Sequence, residues 1–315
     1  MSSVKKVYRK VLKTLHIDSR DRNPLSTPSK YSIKLPNTYE NIYSITLKSA
    51  EIPISWYAFS EALGNNKFTV TVTDDMSVTT TLVITIPDGN YTSTTFPVIL
   101  EAVLNDVAPA GFGASTFAVG FDITTYKLLF QAATTVSSFS FDFAEQIQSI
   151  CGTPGPVPNT TTWWGLGYFM GFNKVNILSS VYSAGPPVAP ATLSSSFVVQ
   201  LDPYNYIIME LDFMNKQDET PVDGIKSGRI DGCFAKIPMS GNSGDIIFFR
   251  DYCCPSNRSV MSPPLSQLKT INVKLRGHNG IFIDFNNVDH SFTLEMEFLE
   301  NNFDEYSSLN FAPLH

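Results

Sequence analysis

The sequence predicts an all-β sandwich, and three observations lead to that class. Apolar and polar residues alternate over several long stretches, which is the period of strands that bury one face. The chain contains 23 Phe and 13 Tyr, residues that favour strands. Only one segment has clear helical spacing, and no alternation of strands with helices indicates a parallel sheet. Many short strands with a single helix are typical of a sandwich.

The most regular strand patterns lie near the end of the sequence. Residues 269–276 and 291–298 alternate between apolar and polar side chains, and a glycine turn at 277–280 leads to a short return strand at 281–285. An early segment, residues 42–54, has similar length and alternation. We therefore expect the first and last strands of the sandwich to pair.

Further strands are predicted where short β-rich runs lie between turn residues. They are expected at residues 31–35, 68–73, 79–86, 117–123, 126–131, 139–143, 196–201, 206–213, 234–238 and 245–250. The single helix is predicted at residues 96–107, where apolar residues recur at helical spacing after threonines that can cap it, with Pro97 in the first turn. This helix is expected to cover one end of the sandwich.

The domain prediction is one β-sandwich body over residues 31–300, with proline-rich loops near 152–160 and 184–190. A basic N-terminal arm and strap are expected at residues 1–30, and a C-terminal tail at 301–315. A length of 315 residues by itself allows one or two domains. Pairing of the terminal strands favours a single compact unit.

The net charge of −7 is unevenly distributed along the chain. Five cations and no acid precede His16, so the remainder is acidic and nucleic-acid binding by its surface at large is not expected. Residues 4–15 also carry apolar side chains at helix-like spacing, which indicates an amphipathic arm or, alternatively, a frayed terminus. We predict that the arm orders against a partner through Lys5, Lys6, Arg9, Lys10, Lys13, Arg20 and Arg22.

The segment at residues 16–23 is dense in charges of both signs and is followed by two prolines. We interpret it as a docking strap between the arm and the first strand. A catalytic role for His16 with Asp18 and Asp21 is the alternative, but a proline-bounded terminal segment is a poor place to hold reactive groups rigidly.

The sequence carries no recognisable catalytic or cofactor motif. It has no Gly-x-Ser-x-Gly elbow, phosphate-binding glycine loop, His-Glu-x-x-His or Cys-x-x-Cys motif. Asp289 and His290, near Asp284, are interpreted as turn residues rather than as a metal pair. The four cysteines lack metal-ligand spacing and are expected to be buried or idle thiols. We therefore predict no catalytic, cofactor-binding or metal-binding residue.

The aromatic stretch at residues 163–172 has two interpretations. It could form a platform on which sugar rings stack, or a packed corner of the fold. The packed corner is favoured because the stretch is too apolar to be left in water. No secretory signal and no window of about 18 uncharged apolar residues is present, so a soluble protein is expected.

Taken in order, six segments resemble jelly-roll minor capsid or penton proteins of nucleocytoplasmic large DNA viruses. They are HIDSRDRN at 16–23, ITLKSAEIP at 45–53, IPDGNY at 86–91, LGYFMGF at 166–172, FAKIP at 234–238 and DHSFTLE at 289–295. Their order and spacing carry the resemblance over nearly the whole chain. The Trp163-Trp164 pair, the region of Cys253-Cys254 and residues 218–231 depart from the pattern.

The resemblance implies a non-enzymatic capsid component with a jelly-roll-type antiparallel β-sandwich. Its implied partners are the major capsid protein, neighbouring minor capsid proteins and further copies of itself, with a pentamer as one arrangement. Contact of the basic arm with an inner membrane or the genome is a further expectation, and no cofactor or small-molecule substrate is implied. The expected location is the virion, after synthesis in the host cytoplasm. The alternative is a carbohydrate-binding or glycoside-acting β-sandwich protein, which only the aromatic stretch supports.

Overall fold

The computed structural model describes residues 8–107, 116–143, 165–172, 180–183, 190–217, 232–251, 257–278 and 280–301. These residues form an all-β architecture, as predicted, with short helical segments. The strands are β1 (Tyr8–Asp18), β2 (Lys30–Pro53), β3 (Lys67–Asp74), β4 (Thr79–Thr85), β5 (Phe117–Asp122), β6 (Lys127–Ala132), β7 (Val136–Asp142), β8 (Ser180–Ser183), β9 (Thr192–Ser194), β10 (Tyr206–Leu211), β11 (Ala235–Pro238), β12 (Ile246–Arg250), β13 (Arg258–Arg276) and β14 (Ser291–Asn301). The α-helices are α1 (Thr95–Asp106) and α2 (Leu166–Phe169), and 3-10 turns lie at Ser19–Asp21 and Asp212–Met214.

The chain divides into two compact units. Unit 1 comprises Met1–Trp56 and Tyr204–His315, and unit 2 comprises Tyr57–Pro203. The rings of Trp56 and Tyr204 meet edge to face, with 5.6 Å between their centroids. Unit 2 is therefore inserted between two positions that touch each other within unit 1. The predicted body at residues 31–300 is distributed over both units.

Unit 1 is built on one antiparallel sheet with the strand order β1-β14-β2-β13-β10-β11, and β12 also pairs with β2. The predicted pairing of the first and last strands is confirmed, because β14 pairs with β2 from Ser291↔Glu51 to Phe298↔Ile42. The strands predicted at 31–35 and 42–54 merge into the 24 residues of β2. Register shifts interrupt the pairing of β2 with β13 and β14, and such irregularities bend and twist strands.

The core of unit 1 is made of apolar residues on the inner faces of its strands; β13 and β14 alternate as predicted, whereas in β2 Ile42 is buried and Tyr43 is not. Its fully buried members include Ile42, Ile45 and Leu47 of β2, Ile271, Val273 and Leu275 of β13, and Phe292, Leu294 and Met296 of β14. Each such side chain contributes about 1.5–3 kcal/mol of transfer free energy relative to exposure in water. Burial of these apolar side chains therefore stabilises the sheet and also favours its register, because a shift by one residue would expose them.

Unit 2 contains a four-stranded sheet, β4-β3-β7-β8, and a three-stranded sheet, β5-β6-β9. Its core is rich in phenylalanine and includes Phe59, Phe68, Phe96, Phe130, Phe139, Phe141 and Phe143. Several ring pairs in this core lie edge to face, as between Phe130 and Phe141 with centroids 4.9 Å apart. That geometry is the favoured one for aromatic pairs.

Helix α1 confirms the predicted helix to within one residue at each end. Phe96, Leu100 and Leu104 are its buried stripe, at the i, i+4, i+8 spacing of one helix face. Its polar side chains bond the backbone of β5: Asn105 Oδ1 accepts from the N–H of Phe117 at 2.9 Å, and Glu101 Oε2 accepts from the N–H of Val119 at 2.9 Å. The helix therefore satisfies donors on strand β5 as well as covering apolar surface.

Two predicted strands are wrong. Residues 196–201 do not form a strand, because the N–H of Phe197 bonds the carbonyl of Gly171 and the N–H of Val199 bonds the carbonyl of Tyr126. The strand in this region is β9, a few residues earlier. Residues 281–285 return along β13 through the isolated bridge Arg276↔Phe282 and do not continue as a strand.

The N-terminal segment is also corrected, because residues 8–18 form strand β1 and not an amphipathic helix. β1 pairs with β14 over all of its 11 residues, and Leu15 and Ile17 are buried in the core of unit 1. Apolar residues four apart, such as Val11 and Leu15, fit one face of a helix and one face of a strand equally well. From Tyr8 onwards the segment orders against its own sheet.

Candidate assembly surfaces

Strand β1 forms one edge of the unit 1 sheet. Within the described residues, β14 pairs with one side of β1 and no strand pairs with the other side. The backbone N–H and C=O groups on that side can therefore accept a further strand, which is how sheets extend between chains. The free edge of β1 is the first candidate assembly surface.

The predicted cations fall in three places. Lys5 and Lys6 lie outside the described residues, Arg9, Lys10 and Lys13 lie on β1, and Arg20 and Arg22 lie just after it. Their role in contacting a partner stays a prediction. The contacts that each makes within its own chain differ, and they decide which of them remain accessible.

The lysines of β1 rest partly on their own sheet. Lys10 Nζ lies 3.8 Å from a carboxylate oxygen of Glu297 and 4.5 Å from the ring centre of Tyr43. Lys13 Nζ lies 5.2 Å from the ring centre of Phe298. Cation–π contacts of this kind are worth about 0.5–1 kcal/mol at exposed sites, so they orient both side chains without burying their charges.

The segment between β1 and β2, residues 19–29, is named the strap. Ser19 binds the strap to the residues just before β14. The N–H of Ser19 donates to the carbonyl of His290 at 2.9 Å. The Oγ of Ser19 donates to Asp289 Oδ1 at 2.7 Å and accepts from the N–H of His290 at 2.9 Å. Ser19 is completely buried. The strap is thus part of the folded body and not a free tether.

Arg22 is the anchor of the strap. Its guanidinium donates to the carbonyl of Ser19 at 2.7 Å and to Asn287 Oδ1 at 3.0 Å, and it forms an ion pair with Asp289. Its Nε donates to the carbonyl of Ser26 at 3.3 Å. The side chain is 10% exposed, so its donors are directed inward. Sequence reading could not detect this role, because Asp289 is far away along the chain.

The carboxylates around the strap are held in their charged form. Burial acts to raise the pKa of Asp289, but hydrogen bonds from Ser19 and Arg22 outweigh it and the pKa is lowered. The pKa of Asp18 is lowered chiefly by hydrogen bonds from the side chain of Arg20, whose Nε lies 2.9 Å from Asp18 Oδ1. Arg20 is 73% exposed, so it is the strap cation that faces solvent.

His290 lies in an aromatic enclosure beneath the strap. Its Nε2 donates to the carbonyl of Pro28 at 2.9 Å, and its ring contacts Phe292, Tyr31 and Phe285 with centroid distances of 6.2, 5.6 and 5.5 Å. Burial lowers the pKa of His290 to about 4, so the imidazole is neutral near pH 7. It holds the strap to the sheet as a structural side chain.

Neither a metal centre nor a membrane-crossing helix is found in the described part of the chain. No group of three or more His, Cys, Asp or Glu side chains there could hold a metal ion, and no helix there is long and apolar enough to cross a membrane. Asp284 is engaged by the N–H of Asn286 at 2.9 Å, and Asp289 and His290 are engaged by the strap. Cys233 is buried, and the other three cysteines lie outside the described residues.

The outer face of β12 exposes large apolar side chains. Phe248 is 68% exposed and Ile246 is 54% exposed. Phe248 lies opposite Glu51 of β2, and Glu51 lies opposite Ser291 of β14. Ile246 and Phe248 therefore lie beside the polar side chains of Glu51 and Ser291 on the neighbouring strands. The strand was predicted, but its exposed face was not, because the sequence Ile246-Ile-Phe-Phe249 has no alternation to tell the two faces apart. This apolar pair is the second candidate assembly surface.

The described part of the aromatic stretch forms a packed corner, as the favoured interpretation predicted. Phe169 and Phe172 are buried, with Phe169 edge to face on Phe59 at 5.6 Å between centroids. Gly171 has φ +81°, and a Cβ there would come within 2.3 Å of the carbonyl oxygen of Phe197, so the corner requires glycine. Trp163 and Trp164 lie outside the described residues.

Comparison with known proteins bears on the fold. No family model matches the chain, and no curated protein matches it. A crystal structure of the mavirus penton protein superposes with a TM-score of 0.51 at 10% identity, covering 93% of this chain and 100% of that chain. The structure of the Sputnik virophage superposes with a TM-score of 0.44 at 10% identity, covering 92% of this chain and 98% of that chain. The chain therefore has the jelly-roll-type fold of the mavirus penton protein.

Proposed function

We propose that this protein is a structural component of a large DNA virus capsid, acting as a penton or minor capsid protein. The observation that carries the proposal is the fold shared with the mavirus penton protein over nearly the full length of both chains. Such a protein works by binding its neighbours and has no turnover chemistry. The sequence resemblance to jelly-roll minor capsid and penton proteins supports the same function independently of the superposition.

The two candidate surfaces support a role in assembly. A free strand edge at β1 and the exposed pair Ile246 and Phe248 would each be buried on contact with a neighbouring subunit. Aromatic side chains at the centre of an interface contribute much of its binding free energy. The polar groups that an enzyme would direct into a cleft, such as His290 and Asp289, are instead used to hold the strap.

The finer parts of the proposal concern partners and location. The partners are further copies of this chain, the major capsid protein and neighbouring minor capsid proteins, and the pentamer of a capsid vertex is the arrangement to test. The protein is synthesised in the host cytoplasm and resides in the virion. The cations Lys5, Lys6, Arg9, Lys10, Lys13 and Arg20 are proposed to face a neighbouring subunit, the inner membrane or the genome.

The test is incorporation into particles. Phe248→Asp places a charge in the proposed interface and is expected to reduce incorporation at least tenfold, as measured by quantitative mass spectrometry of purified virions. Met76→Asp is the matched control, because Met76 is also highly exposed but lies on the β3–β4 hairpin of unit 2. Absence of the wild-type chain from purified virions would refute a structural capsid role. Equal incorporation of both variants would exclude the β12 surface.

A further inference from the structure

One face of unit 1 carries a cluster of positive charges, although the chain as a whole has a net charge of −7. It is the outer face of residues 30–34 of β2, residues 269–276 of β13, and the neighbouring strands β10 and β11, and it is named the basic face. Its cations are Lys30, Lys34, Lys236, Lys269, Lys274 and Arg276. The acids that share this face within the described residues are Glu210 and Asp212.

The acids of the basic face neutralise only part of its charge. Glu210 pairs with both Arg276, at 2.7 Å, and Lys274, at 3.6 Å. Asp212 accepts a hydrogen bond from the amide of Asn272. No described acid lies within ion-pair distance of the remaining four lysines of this face.

The register places like charges together on this face. Lys30 of β2 lies directly opposite Lys274 of β13. Like charges in directly opposed positions destabilise a sheet, so an anion bound between them would relieve an existing repulsion. Lys236 is held over the ring of Tyr206 at 3.8 Å, which fixes its ammonium group at the surface.

A cleft of about 600 Å³ lies between the strap and the basic face. Lys30 and Lys274 line it together with the polar groups of Ser32 and Asn272 and the apolar side chain of Leu25. The one acid of the lining, Asp212, accepts a hydrogen bond from the amide of Asn272. Leu25 is 95% exposed, which leaves a branched apolar side chain at the rim with nothing covering it. The cleft therefore offers positive charge, hydrogen-bonding groups and an apolar contact in one place.

These features favour a short acidic peptide segment over a nucleic acid or a membrane. A phosphate backbone would bring closely spaced charges against Glu210 and Asp212 and would leave Leu25 uncovered. A membrane surface is flat and could not fill a cleft. A peptide with one or two carboxylates and large apolar side chains can pair with the lysines, hydrogen-bond to the polar groups and cover Leu25.

Residues 302–315 of the chain have this chemistry. They contain Asp304, Glu305, Phe303, Tyr306 and Phe311 and no Lys or Arg. They follow directly on β14, which ends at Asn301, and fourteen extended residues can span about 46 Å. We propose that residues 302–315 of one copy bind the cleft and basic face of a neighbouring copy, with Asp304 and Glu305 facing Lys30 and Lys274. This inference rests on the proposed function, because it supplies the link between capsid subunits.

The test uses a synthetic peptide of residues 302–315 with a fluorescent label and the protein truncated after Asn301. Saturable binding by fluorescence anisotropy is expected at low salt, weakening as salt is added because the contact is electrostatic. Lys30→Glu combined with Lys274→Gln is expected to weaken binding at least tenfold, as is the peptide with Asp304→Asn and Glu305→Gln. Lys127→Glu in unit 2 is the control for a general loss of positive charge and is expected to bind like the parent protein. Unchanged circular dichroism and melting temperature will show that the variants are folded.

Several results would overturn the inference. These are no saturable binding of the peptide, equal binding by the Lys30/Lys274 variant, or tighter binding of a single-stranded oligonucleotide or phosphatidylserine vesicles through the same lysines. The proposed function is tested separately by incorporation of the full chain into particles. Normal incorporation without peptide binding would refute only this inference, whereas peptide binding without incorporation would refute only the capsid role.

Discussion

At the scale of single residues, Arg22 connects segments that are far apart in sequence. Arg22→Ala removes the partner of Asp289 and of the carbonyls of Ser19 and Ser26, so we expect a loss of about 2–3 kcal/mol in the free energy of unfolding of unit 1. Urea titration followed by circular dichroism measures it. Arg20→Ala is the control, because this exposed neighbour pairs only locally with Asp18 and is expected to cost less than about 0.5 kcal/mol. Equal effects would contradict the anchoring role of Arg22.

A second residue-scale prediction concerns pH and His290. Its pKa in the folded protein is about 4, below the ordinary 6.5, so the unfolded chain binds the proton more readily between these values. Stability is therefore complete above pH 6.5 and falls as the pH is lowered towards 4, by about 3 kcal/mol in total. The same free energy of unfolding, measured from pH 7.5 to pH 4, should show this loss.

His290→Gln isolates the effect of the histidine. Glutamine can still donate to the carbonyl of Pro28 but does not titrate, so the variant is expected to lose most of the pH dependence between 6.5 and 4. Asp18, Asp289 and Arg22 lie nearby, and the lowered pKa values of the two acids place their own effects at lower pH. An unchanged slope in the variant would show that other groups cause the dependence.

At the scale of elements, β1 is a stabilising part of the sheet. Leu15→Ala and Ile17→Ala each remove a buried side chain and are expected to cost about 2–4 kcal/mol, whereas Leu12→Ala, on the exposed face, should cost less than about 0.5 kcal/mol. Urea titration of the three variants measures the difference. Three equally small effects would mean that β1 is not stably docked.

Removing residues 1–23 is accordingly expected to destabilise unit 1, whereas removing residues 1–7 leaves β1 intact.

The elements that could be predicted from sequence are those with an unambiguous period. Strand β14 and helix α1 are predictable because the apolar residues of β14 repeat every two residues and those of α1 every 3.6 residues, and neither pattern fits the other period. β1 was missed because a spacing of four residues satisfies both periods. The pairing of Arg22 with Asp289 and the exposure of Phe248 could not be predicted, because both depend on which distant strands become neighbours. The basic face was hidden for the same reason, since its lysines come from three separate stretches of sequence.

At the scale of the whole molecule, the contact between Trp56 and Tyr204 predicts that unit 2 can be removed. Replacing residues 57–203 by a short Gly-Ser linker should leave unit 1 folded, because the linker has to join two positions that already touch. The isolated fragment 57–203 should melt cooperatively, because its phenylalanine core is its own. Calorimetry of both proteins tests this. If neither piece folds alone, the single compact body expected from the sequence would be the better description.

The insertion of unit 2 also sets the order in which the chain can mature on the ribosome. β1 and β2 are made first, but among the strands that the structure describes β1 pairs only with β14, and β2 pairs with β12, β13 and β14, all of which follow unit 2. At about 5–20 residues per second, the roughly 150 residues of unit 2 delay those partners by about 7–30 seconds. During this interval unit 2 can complete its fold, while the apolar residues Ile42, Ile45 and Leu47 have no sheet to enter. The nascent protein therefore passes through a period in which the apolar residues of β2 are exposed. A chaperone that binds β2 or a brief pause in translation would act most usefully during this period.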